Sequence, residues 1–156
     1  VIYRVFLFIA FLMICLVVTG FVPLFTDTGS GSWYDQLQKP FLSFPGSLFG
    51  SVSMLFSLLI AFSGWSIWHS QDTKERRVAL LFWIVQFILY GIWNGLFFVL
   101  RQPGMALLEI LLLWFAIGGF VIAAWKVRRL AAFSFFFYWV WMTFVTLLNL
   151  NIWWQN

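Results

Sequence analysis

The sequence is short of everything that soluble chemistry needs. It has one cysteine and one histidine, and only 9% of its 156 residues are charged. The lone Cys15 excludes a disulfide or a thiolate cluster and reads as a small apolar packing residue. The lone His69 excludes a histidine triad and a multi-histidine metal site. Acidic residues number five. Asp27, Asp35, Asp72 and Glu75 fall in polar connections, and Glu109 has no second buried carboxylate with which to form an acid/base pair. Conventional hydrolytic or acid–base catalysis is therefore unsupported.

What remains is apolar. Hydrophobic residues make up 63% of the chain and come in blocks. A helix crossing a hydrocarbon core of about 30 Å needs roughly 20 residues. Five blocks of that length are legible: Ile2–Phe25, Ser47–Trp68, Val78–Leu100, Met105–Trp125 and Leu130–Trp153. A β-barrel would instead alternate apolar and polar residues in shorter segments. The expectation is an all-α membrane protein, a bundle of five transmembrane helices forming a single domain over residues 1–156, with the lipid bilayer as its solvent. Arg4 before the first block suggests a signal peptide, but the apolar run is too long for one and no small-residue cleavage site follows.

Charge sets the expected orientation. With five crossings Arg4, Lys74, Arg76, Arg77, Lys126, Arg128 and Arg129 share one side, and only Lys39 and Arg101 lie on the other. Positive residues stay cytoplasmic during insertion, so the N-terminus is expected inside and the C-terminus outside. The basic balance thus speaks for topology and not for nucleic acid. A bacterial plasma membrane is the expected location.

Three connections are short. His69–Arg77 reads as a solvated inner turn, and Pro103–Gly104 as the sharp outer turn between the third and fourth helices. The long one, Thr26–Gly46, carries Trp33, Tyr34, Leu37, Phe41 and Phe44, which a disordered linker would not. It is expected to be an ordered lid over the outer end of the bundle.

Tryptophan is abundant, with eleven residues. Trp65, Trp68, Trp125, Trp153 and Trp154 fall near helix ends, where an indole belongs at the headgroup level. Trp93, Trp114 and Trp141 lie deeper, and an indole N–H in hydrocarbon needs a partner. They serve either helix packing or a stacking wall for a flat, greasy ligand. Glu109, about a turn and a half into the fourth helix, is a functional candidate whether it is hydrated or buried. Arg101 or Asn94 is within reach of pairing with it. Gly91 and Gly95 form a G-x-x-x-G that allows close helix approach, and Gly118 and Gly119 can serve packing within the bundle equally well.

The run Trp33-Tyr34-Asp35-Gln36-Leu37-Gln38-Lys39-Pro40, with Pro45 beyond it, resembles the first-loop signature of the translocator-protein family (TspO, peripheral benzodiazepine receptor, tryptophan-rich sensory protein). Gln86, Trp93, Phe97 and Phe98 resemble the family's third helix. Arg101-Gln102, Gly104 and Ala106-Leu107 resemble its turn into the fourth, and Tyr138, Trp141, Leu148-Asn149 and Asn156 its fifth. Animal members also carry an acid where this chain has Glu109.

The resemblance implies a five-helix bundle, often a homodimer, with a pocket beneath the first loop. The implied ligands are porphyrins, haem, sterols such as cholesterol, and drug-like aromatics, with no cofactor required. Some bacterial members are described as degrading porphyrin in light. The site implied here has Trp33, Tyr34, Pro40 and Pro45 as lid and Lys39 as the cation for a ligand's acidic groups. Tyr90, Trp93, Asn94, Glu109, Trp114, Tyr138 and Trp141 would line it. With His69 at the inner end, a tetrapyrrole would be held by stacking and propionate contacts instead of an axial histidine.

Departures touch the pocket more than the scaffold. Phe44, Ser53, Ser57, Tyr90, Gly95 and Phe137 stand where relatives often have other residues. Three readings follow: a receptor or sensor-type binding protein for hydrophobic planar ligands, tetrapyrroles first; a light- and oxygen-dependent porphyrin-degrading enzyme using Trp141; or a scaffold whose pocket Tyr90 and Phe137 have filled.

Overall fold

The structure is a computed structural model that describes residues 2–21, 24, 26–40 and 46–156. Its elements are α1 (Ile2–Phe21), the single-turn α2 (Trp33–Gln36), α3 (Gly46–Trp68), α4 (Lys74–Asn94), α5 (Pro103–Val127) and α6 (Arg129–Gln155). A π-helical turn, Gly95–Val99, extends α4. Among the described residues five helices are long and apolar enough to cross a membrane, as the five sequence blocks require. In hydrocarbon every backbone N–H and C=O must find its partner within the protein, which continuous helices achieve without neighbours.

Helix ends depart from the hydropathy blocks where polar capping takes over. The segment His69–Arg77 is not all turn: α4 begins at Lys74, because the Thr73 hydroxyl caps it by accepting from the Arg76 N–H at 3.2 Å. The turn before α5 is not Pro103–Gly104 either. Pro103 opens α5, where a fixed φ and a missing N–H do no harm, and the reversal falls on Arg101 at φ 55°. Between α5 and α6 a single extended residue, Arg128, breaks the helix.

The core is built on α5, which packs between α4 and α6, while α1 packs chiefly on α3 and stays largely exposed. Glycines set the closest approaches. The Trp139 ring lies where a Cβ on Gly118 would stand, and the Phe82 ring does the same at Gly119, so these two glycines serve packing within the bundle. At Gly64 the Trp83 indole fills the equivalent space, which lets its Nε1–H donate to the Ile60 carbonyl at 3.0 Å. By contrast Gly91 and Gly95 have open space around them. The buried, inert position expected of Cys15 is observed. Phe137 points outward, half exposed, and fills no interior space.

Candidate functional site

At the end of the bundle nearest the first loop, α1, α3, α4 and α6 enclose a cavity of about 500 Å³. Its aromatic wall comes from α4 and the π turn: Tyr90, Trp93, Phe97 and Phe98. Tyr34 reaches it from the first loop, and Ser53, Thr19, Val145, Leu148 and Asn149 complete the other sides. Two neighbouring residues, Phe97 and Phe98, can both face it because the π turn widens the helix, with the Leu100 N–H donating to the Gly95 carbonyl five residues back at 2.9 Å.

Trp93 is locked. Its Nε1–H donates to the Asn149 side-chain oxygen at 3.0 Å, and the Asn149 amide donates to the Pro103 carbonyl at 2.8 Å. One asparagine thus ties α4, α6 and the start of α5 together and fixes the ring at the cavity wall. The Asn94 amide donates to the Tyr90 carbonyl at 2.8 Å. With Asn94 and Asn149 among largely apolar neighbours, the cavity pairs flat stacking surfaces with a few polar groups, the usual make-up of a small-molecule site.

The first loop approaches from above. Gly31, at φ 83°, makes the left-handed turn that glycine tolerates, and Ser32 caps α2 by accepting from the Asp35 N–H at 3.2 Å. The buried Tyr34 ring packs on Phe98 at 5.7 Å between centroids, and Trp33 sits edge-on to Phe97 at 5.7 Å. Burial pushes the Tyr34 phenol above its ordinary range, so it stays neutral. Gln38 then joins Asn156, just past the end of α6, through two hydrogen bonds of 3.0 Å.

Lys39 does not line the cavity. Its ammonium donates to the Tyr34 carbonyl at 2.6 Å and the Asp35 carbonyl at 3.1 Å, and lies 4.5 Å from the Tyr34 ring centroid. It closes the C-terminal end of α2, where the Tyr34 carbonyl also accepts from the Leu37 N–H at 3.4 Å. Pro40 is half-buried outside the lining, and Pro45 lies outside the described residues.

Four deeper residues are also displaced from the cavity. Trp114 sits on the α5–α6 seam, donating to the Thr143 hydroxyl at 2.7 Å and packing on Trp139. Glu109 is buried on α5 with neither carboxylate oxygen hydrogen-bonded among the described residues, and neither Arg101 nor Asn94 pairs with it. Tyr138 and Trp141 line a separate void of about 30 Å³, which borders the same Thr19, Ser53 and Tyr90. There the Tyr138 hydroxyl donates to Gln86 at 3.3 Å and Trp141 stacks on Phe56 at 5.7 Å. Trp141, on which the porphyrin-degrading reading rests, is therefore one layer removed from the main cavity.

Sequence reasoning left Asn149, Phe97, Phe98 and Thr19 off the site, and named Ser53 only as a departure that touches the pocket. The signal for Asn149 was available: an amide within an apolar membrane-spanning helix needs an interior partner.

Fold and site together define an integral membrane protein of five helices with an aromatic-walled cavity under its first loop. The TspO/MBR family model matches residues 11–155, and the chain belongs to that family. It is 30% identical to Protein CrtK of Rhodobacter capsulatus over 81% of this chain and 79% of that protein. It is 31% identical to the human translocator protein over 80% and 75%. A third relative, the tryptophan-rich protein TspO of Archaeoglobus fulgidus, is 29% identical over 85% of each.

Proposed function

We propose that this chain is a receptor or sensor-type membrane binding protein for hydrophobic planar ligands, porphyrin or haem foremost and sterols second. The carrying observation is the cavity of about 500 Å³ in which Trp93, held by Asn149, stands beside Phe97, Phe98 and Tyr34. A flat macrocycle gains stacking and dispersion against such a wall, and Asn94 offers an amide to a polar edge. An open cavity, with Phe137 directed outward, favours this reading over a filled one.

Titrating the purified protein with protoporphyrin IX in the dark tests the proposal through tryptophan fluorescence. Saturable quenching in the micromolar range or tighter, weakened at least several-fold by Tyr34→Ala and Asn94→Leu, is the expected result. Linear quenching identical in all three proteins means partitioning into detergent and removes the tetrapyrrole.

The same reading takes the protein as a homodimer with its N-terminus cytoplasmic, in a bacterial plasma membrane. The open Gly91 and Gly95 surface of α4 supports close approach of a second copy, and the lopsided basic residues support the orientation.

A further inference from the structure

A second groove lies at the other end of the bundle, between the start of α4 and the end of α5. Its volume is about 310 Å³. Along α4 it is lined by Lys74, Val78 and Phe82 at four-residue spacing, and along α5 by Gly119, Ile122 and Lys126. The two lysines stand at its mouth and apolar side chains run below them. From Lys74 to Phe82 is about 12 Å of helix, the outer part of one bilayer leaflet. The mouth lies at headgroup level, because Trp125 adjoins Lys126 and Trp68 closes the preceding helix.

Three of the five other cations at this end are occupied, and the remaining two, Arg4 and Arg128, do not line the groove. Arg76 and Arg77 pair with Asp72 at 3.2 and 3.6 Å, and Arg129 lies over the Trp125 ring. Lys74 and Lys126 make no ion pair and no hydrogen bond among the described residues. Glu75 also borders the groove, which leaves a net charge of one positive unit at its mouth. Two free ammonium groups above an apolar groove match a phosphodiester above an acyl chain. The space is narrow for another helix, whose diameter with side chains is about 10 Å. Basic clefts between membrane helices hold acidic lipid headgroups for the same reason.

We propose that this groove binds one anionic phospholipid per chain, with its phosphate between Lys74 and Lys126 and an acyl chain against Val78, Phe82 and Ile122. The single negative charge of the lipid offsets the single positive charge of the mouth. A zwitterionic lipid gains less, because its ammonium adds back the charge that its phosphate neutralises. Phe82 forms the floor by lying on the bare backbone of Gly119.

Native mass spectrometry of the full chain in detergent, titrated with phosphatidylglycerol, phosphatidylethanolamine, phosphatidylcholine or inorganic phosphate, tests this. The expected result is one saturable phosphatidylglycerol adduct, weakened about tenfold in Lys74→Gln/Lys126→Gln and tightened in Glu75→Gln. Ile122→Trp, which fills the channel without changing charge, weakens it too. Arg128→Gln, away from the groove, leaves it unchanged. Circular dichroism confirms that each variant is folded. Equal adducts in the wild type and the double lysine variant overturn the proposal, as does equal binding of all three lipids. Loss with Arg128→Gln as large as with the lysine pair would mean a diffuse charge effect and also overturns it. Displacement by inorganic phosphate alone overturns the role of the acyl chain.

Discussion

Gln38 and Asn156 exchange two hydrogen bonds across 118 positions of chain, the Gln38 N–H donating to the Asn156 side chain and the Asn156 amide donating back to the Gln38 carbonyl. The first loop is thereby fastened to the end of α6, and the Asn156 amide also donates to the Ile152 carbonyl within α6. Asn156→Ala should release the loop while leaving the bundle intact. Hydrogen exchange at Gln38 and the α2 turn should accelerate, and ligand affinity should fall several-fold. Thermal stability should drop by only about 1 kcal/mol, because the bonds are solvent-exposed. Unchanged exchange at Gln38 would show that other contacts hold the loop.

Asn149 joins three helices, so its replacement should act on both stability and the cavity. Asn149→Leu leaves the Trp93 N–H and the Pro103 carbonyl without the partners they now have. The expected loss is about 1–2 kcal/mol, the scale of a good hydrogen bond between membrane helices. Trp93→Phe should lose less, since the amide keeps Pro103. Unfolding in detergent, with the two variants side by side, measures the difference.

Glycines of equal sequence appearance should respond in opposite ways. At Gly118 a Cβ would stand 2.7 Å from the Trp139 ring, and at Gly91 it would meet nothing. Gly118→Ala should therefore destabilise by about 1–3 kcal/mol through overpacking. Gly91→Ala should be neutral or stabilise by up to about 1 kcal/mol through helix propensity. If Gly91→Leu abolishes a dimer in cross-linking while the fold survives, the second copy docks there.

Glu109 is a buried carboxylate with no hydrogen-bond partner among the described residues. Glu109→Met removes the unsatisfied oxygens at similar volume, and should raise stability by about 1 kcal/mol or more. A drop in melting temperature would show that the carboxylate has a partner in the bilayer.

Five spans were legible because a membrane leaves little choice: an apolar block of sufficient length between charges has to be a helix. Thr73 and Pro103 show where that logic stops. Helix ends depend on caps and fixed dihedrals, which hydropathy does not register. The cavity was legible in part. Tyr34, Tyr90, Trp93 and Asn94 were named from the sequence and line it, whereas Lys39, Trp114 and Trp141 were named and do not. Lys39 was expected to meet a ligand's acid, and it is the turn geometry of α2 that gives it the Tyr34 and Asp35 carbonyls instead. Trp114 and Trp93 look alike in sequence. Which faces the cavity depends on the partner of the indole N–H, a hydroxyl on the seam or an amide beside the cavity.

The π turn at Gly95–Val99 contains one residue more than an α turn would. That makes it the place in α4 where the chain can be shortened. Deleting a residue elsewhere in the helix rotates everything beyond it by about 100° and turns the wall of the cavity away. A deletion here converts the π turn to an α turn and keeps both flanks in phase. The change is confined to Phe97 and Phe98, so the breadth of the aromatic wall is adjustable by chain length alone.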